Sequence, residues 1–173
     1  DRAYDSLIRK LTTLDISSAA TLLASFNGSA RTHERMEAAF VRQWSRINSL
    51  EAAEYISQMG MNTNNFAKMA AEVIDNWSDN QAASSWLSQY EPSAKRDPAS
   101  YELANNLRHT NPENAMIWAK YINNDTMRMR SIRNVARIWN SNNPESFIAY
   151  ISESDDFLDQ EREILLEMVT KNK

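Results

Sequence analysis

The stretch TNPENAMIWAKYI, Thr110–Ile122, and the stretch SNNPESFIAYIS, Ser141–Ser152, follow one pattern. Each sets Asn-Pro-Glu ahead of an apolar run. Each has an aromatic residue six positions after the proline, Trp118 after Pro112 and Tyr150 after Pro144. The two aromatics stand 32 residues apart, and the same place recurs toward the N-terminus at Trp86, Tyr55 and Leu22, at spacings of 32, 31 and 33. Seven residues before each of these anchors lies Asp15, Asn48, Asp79, Asn111 or Asn143. Asp and Asn are N-cap residues, whose side-chain oxygen accepts a bond from an orphan N–H of the first helical turn. Proline follows in two copies, at the first helical position, where its missing N–H would be unbonded anyway. Glu51, three after Asn48, stands where the far member of a capping box belongs. The quoted stretches are therefore helix starts, and the chain makes five of them.

Each start opens a short helix. Ala19, Ala52, Ala83, Ala115 and Phe147 precede the anchors by three; Leu23, Ile56, Leu87, Ala119 and Ile151 follow by one. Phe26, Met59, Tyr90 and Ile122 follow by four, with Ser154 as the exception, so one apolar stripe runs at helical spacing. A longer helix precedes each short one and ends near Leu11, Trp44, Trp77, Leu107 and Trp139. Its own stripe includes Leu7, Phe40, Val73, Leu103 and Val135, four before the end marker, and Ala3, Met36, Met69, Ala99 and Ser131, eight before it. The unit is helix, tight turn, helix. One such unit does not bury both stripes alone, whereas stacked neighbours do.

The expected fold is all-α: an αα-hairpin solenoid of five repeats over residues 1–28, 29–61, 62–92, 93–124 and 125–154. A terminal helix lies within 155–173, around Leu158 to Val169, and the whole forms one helical-repeat domain. Composition agrees. Two glycines are too few for a β-rich chain, which needs them at turns and bulges. With no cysteine there is no disulfide or thiolate metal site, a composition that suits an exported and a cytoplasmic protein alike. The chain opens on Asp1 rather than methionine, which reads as a processed product or a piece of something longer. No apolar run reaches the roughly 18 residues that would mark a membrane span.

The motif resembles the helix-turn-helix repeat class that includes tetratricopeptide repeats. It is most similar to a bacterial variety with the pattern W…(D/N)-P-x-x-A…W, carried here by residues 44–59, 77–90 and 139–151. The resemblance implies a helical superhelix that serves as a protein-binding scaffold. The chain departs from the tetratricopeptide pattern in having no glycine in its first helices and in placing the small residue three, not four, before the aromatic. The peptide-binding positions of that class are therefore not carried over.

Signals for catalysis are sparse. His33 and His109 are the only histidines, they fall in different repeats, and neither belongs to a triad or H-E-x-x-H arrangement. Gly28 and Gly60 are too far apart to make a phosphate loop. The tryptophans Trp44, Trp77, Trp86, Trp118 and Trp139 all fall on the anchor or helix-end columns, which makes them packing residues. No catalytic residue, cofactor or metal site is expected.

Charge is more informative. On the first helices, the positions two and nine before the end marker lie opposite the apolar arc and share a face. They hold Arg9, Arg42, Asp75, Asn105, Arg137 and Arg2, Arg35, Lys68, Pro98, Arg130. Seven of those ten are basic, where 19 basic residues in 173 would put about one by chance. Arg133 flanks the last copy. Side-by-side stacking turns these positions into a basic stripe, which Pro98 and Asn105 interrupt. Arginine forks of this kind suit carboxylate-rich or phosphorylated protein segments. The net charge of −4 and pI near 5.3 argue against a nucleic-acid partner. Acidic residues gather near the C-terminus as Glu153, Asp155, Asp156, Asp159, Glu161, Glu163 and Glu167 around Arg162, a polar cap for a terminal helix. The sequence thus points to a non-enzymatic protein–protein interaction module that binds an acidic protein or peptide. The alternative is a structural superhelical region of a larger exported enzyme, such as one acting on the cell wall.

Overall fold

The computed structural model describes residues 2–155 and 157–170, with the side chains of Arg2 and Thr170 outside that description. Asp156 of the acidic cluster also lies outside it. The described residues form eleven α-helices and no strand. In chain order these are α1 (Arg2–Leu14), α2 (Ile16–Ala24), α3 (Ala30–Ile47), α4 (Ser49–Met59), α5 (Phe66–Asp75) and α6 (Asn80–Leu87). They continue with α7 (Asp97–Leu107), α8 (Pro112–Lys120), α9 (Asp125–Asn142), α10 (Pro144–Glu153) and α11 (Asp159–Thr170). The chain is all-α, and it divides into two compact units, one ending at Trp86 and one beginning at Leu87.

All five expected caps form. Asp15 Oδ1 accepts from Ser17 N–H at 2.9 Å, Asn48 Oδ1 from Glu51 N–H at 3.2 Å, and Asp79 Oδ1 from Gln81 N–H at 3.0 Å. Asn111 and Asn143 do the same for Asn114 and Ser146, each at 3.1 Å. Pro112 and Pro144 open α8 and α10. Glu51 does not complete a capping box. Its carboxylate accepts instead from the Trp44 indole at 3.3 Å, because the Asn48 N–H is already bonded to Trp44 O. At the other end of α4, the Gly60 N–H closes on Ile56 O and Ser57 O with φ at +78°, a backbone conformation open to glycine at little cost.

The first helix is the longer partner in every pair, as expected: α1, α3, α5, α7 and α9 have 13, 18, 10, 11 and 18 residues, against 9, 11, 8, 9 and 10 in the helix that follows each. Among these first helices α5 and α7 are the shortest. In the third repeat the helix stops at Asp75, and Trp77 lies in the turn with its N–H on Ile74 O. That early stop explains why Trp77 and Asp79 are two apart rather than four. The Trp77 ring packs against Trp86 at 6.1 Å, and Trp86 Nε1 donates to Ser57 Oγ at 3.0 Å.

In the first unit α3 is central and packs on α1, α2, α4 and α5. Met36, Phe40, Ile56, Met69 and Val73 form its fully buried core, with the Phe40 ring edge-on to Tyr55 at 5.5 Å. The stripe is covered in α3 and α5 but open in α1. Leu7 is 48% exposed, while Phe40 and Val73, at the equivalent positions, are fully buried. In the second unit α9 is central and packs on α7, α8, α10 and α11. Leu103, Met116, Ile132, Val135 and Phe147 are fully buried there, and Trp139 packs on Phe147 and Tyr150 at 5.7 and 4.9 Å. Four of the five tryptophans are buried and Trp44 is half-buried against Phe40 and Tyr55, in keeping with a packing role.

Candidate functional site

Arg9, Arg35, Arg42 and Lys68 come from α1, α3 and α5 and line one cleft of about 140 Å³ in the first unit. The helices that carry them lie side by side because their apolar arcs face the core, which turns the opposite pole to the surface. Two of these cations are engaged. Arg35 Nη2 pairs with Asp5 Oδ2 at 2.5 Å, which ties α3 to α1, and Arg42 Nη2 pairs with Glu72 Oε1, which ties α3 to α5. The hydrogen bond it donates to Glu72 raises the Arg42 pKa above its ordinary value. The other two are open. Arg9 and Lys68 are exposed, and neither forms an ion pair with a described carboxylate. Arg9 Nε donates only to Asp5 O, one turn back, at 3.1 Å. Two atoms at the cleft, Asp5 Oδ1 and Arg42 Nε, are enclosed without a hydrogen-bond partner. Asp5 offsets one of the four lining cations and Glu72 another, so the cleft keeps net positive charge.

In the second unit Arg130 and Arg133 line a larger groove, about 640 Å³, between α9 and α11. Arg130 holds the same place before its helix-end marker as Arg35 and Lys68 do before theirs. Arg137 is exposed on α9, one turn beyond Arg133. Arg2 belongs to α1, but its side chain lies outside the described residues. The expected stripe residues thus gather within each unit: four at the first cleft, two at the second groove.

Four charged residues that the wheel did not single out hold the joints of the second unit. Arg96 is 5% exposed, stacks over the Trp118 ring at 5.4 Å, and donates from Nη1 to Tyr90 O at 2.7 Å. Burial lowers its pKa from the usual arginine value, and Asp97 opposes that shift. Asp97, itself buried, accepts from the backbone N–H groups of Asn123 and Asn124 at 2.8 and 2.9 Å, fixing the turn that leads into α9. Arg128 Nη1 donates to Ile122 O at 3.3 Å, and Arg162 reaches Ile151 O and Ser154 O at 2.7 and 2.6 Å. These three arginines thereby satisfy backbone carbonyls in or beside the turns that lead into α7, α9 and α11.

The two histidines do not meet. His33 is half-buried with its ring 6.4 Å from Phe26, and His109 is exposed and accepts from Arg108 Nε at 3.3 Å. No group of three or more His, Asp or Glu side chains among the described residues is arranged to hold a metal ion. No described helix is long and apolar enough to cross a membrane. No protein family, curated protein or solved structure matches the chain.

Proposed function

We propose that this chain is a non-enzymatic interaction module, an αα-hairpin solenoid whose first helices bind an acidic segment of a partner protein. Supporting the architecture, α1, α3 and α5 are sequential neighbours in one unit, as α7, α9 and α11 are in the other. The observation that carries the binding reading is the convergence of Arg9, Arg35, Arg42 and Lys68. They come from three helices and line one cleft with more positive than negative charge. Arg35 and Arg42 are held in place by their acidic partners, which leaves Arg9 and Lys68 to meet incoming carboxylates. Charges of this kind at a rim govern the rate and salt dependence of association more than its final strength.

The test is binding of a fluorescently labelled glutamate-rich peptide to the intact chain, followed by anisotropy. Affinity is expected to fall as salt rises and to fall again in the Arg9→Glu, Lys68→Glu double variant. Binding that ignores both salt and the two reversals overturns the reading.

A further inference from the structure

The groove between α9 and α11 differs from the first cleft in having large apolar side chains in its lining, where the cleft has only Ala38 and Ala39. Its volume of about 640 Å³ falls within the roughly 300–1,000 Å³ typical of sites that enclose an organic group. Met129, Ile164 and Leu158 are its large apolar lining residues, and Arg130 and Arg133 line it with them. Leu158 is 59% exposed, an aliphatic side chain with little covering it.

Two acids also line the groove, and both pair with the one guanidinium of Arg128. Glu161 is 4% exposed; its Oε1 accepts from Arg128 Nε at 2.8 Å and its Oε2 from the Leu158 N–H at 3.2 Å. Asp125 pairs with Arg128 Nη1 at 2.9 Å. Arg130 and Arg133 are exposed and form no ion pair with a described carboxylate, and with three arginines lining the groove against two acids its balance is positive. Large apolar side chains beside two open guanidinium groups suit a ligand that is apolar at one point and anionic around it.

We infer that this groove binds an acidic peptide segment through an apolar anchor. A large aliphatic or aromatic side chain seats against Leu158, Met129 and Ile164, while flanking carboxylates meet Arg130 and Arg133. The inference rests on the acidic-partner reading above and adds the residue that such a segment must contain. A continuous polyanion fits less well, because Glu163 and Glu167 are exposed on the same α11.

The experiment compares two labelled peptides of equal charge on the intact chain, one of glutamates spaced by serine and one spaced by leucine. The leucine peptide is expected to bind about tenfold more tightly, the worth of partly burying one such side chain. Leu158→Ser is expected to cancel that advantage and leave the serine-spaced peptide unchanged. Serine is a favoured cap residue immediately before a helix, so this variant spares α11. Met129→Gln is the second probe. Equal binding of the two peptides, or a leucine preference that survives both substitutions, overturns the anchor and leaves the acidic-partner reading standing. If neither peptide binds, both fall. Binding to phosphatidylserine vesicles in place of either peptide transfers the surface to a membrane and overturns both readings.

Discussion

Arg128 Nε on α9 donates to Glu161 Oε1 on α11 at 2.8 Å, and the carboxylate it meets is almost wholly enclosed. The pair is the main polar tie between these two helices. Removing one member leaves the other charged and out of water, a loss larger than the worth of the bond itself. Arg128→Met is expected to lower the unfolding free energy by about 3 kcal/mol. Arg128→Met with Glu161→Met is expected to recover most of that loss. Urea denaturation of the three chains measures both steps.

Trp139 fills the space between α9 and α10, with Phe147 and Tyr150 against its ring. Trp139→Ala leaves a cavity that the surrounding helices close only in part, at an expected cost of about 3–5 kcal/mol. Asn111→Ala removes a single cap bond at the exposed start of α8 and is expected to cost about 1 kcal/mol. The ratio of the two losses in thermal or urea unfolding checks that packing, not capping, dominates the stability of this unit.

Asp15 is held below its ordinary pKa of 3.8, first by the Ser18 hydroxyl at 2.5 Å and then by the Ser18 backbone N–H. A carboxylate whose folded pKa is depressed stabilises the fold above its unfolded value. That contribution is lost as pH falls from there through the lower folded value. Stability of the first unit is therefore expected to drop below about pH 4. Asp15→Asn, which keeps a capping side chain but does not titrate, is expected to flatten that part of the profile. Melting temperature against pH for the two chains tests it.

Arg42 and Lys68 line the same cleft, but only Arg42 has a carboxylate on the neighbouring helix. Arg42→Glu would set two carboxylates against each other across α3 and α5, at an expected cost of about 1 kcal/mol for a partly exposed pair. Lys68→Glu and Arg9→Glu are expected to stay within about 0.5 kcal/mol of the parent. Thermal unfolding separates them, and the result decides which reversals report on binding alone.

The five N-caps were readable from the sequence because capping is local: donor and acceptor lie within three residues. The apolar columns were readable for a related reason, since helical spacing alone decides which side faces the core. Trp77 shows where that reasoning fails. It occupies the column that ends a helix in other repeats, yet α5 stops two residues earlier and the indole packs from the turn. The helical wheel put Arg35 and Arg42 at the surface pole without revealing their partners. Asp5 and Glu72 each lie 30 residues away in the chain, so the pairing depends on the register between adjacent helices. The roles of Arg96, Arg128 and Arg162 were not legible because their partners include backbone carbonyl groups, which carry no residue signature. A basic residue six positions after the last residue of a second-helix stripe was the one available hint, as Arg96 stands to Tyr90 and Arg128 to Ile122.

The open apolar row on α1 sets how this unit would tolerate shortening. Trimming α1 and α2 would not yield a smaller, equally well-covered protein. It would strip the cover from α3, where Met36 and Phe40 stand in place of Ala3 and Leu7. The freshly bared strip would be wider and greasier than the one discarded, so successive deletions from this side should give chains that clump rather than compact miniatures.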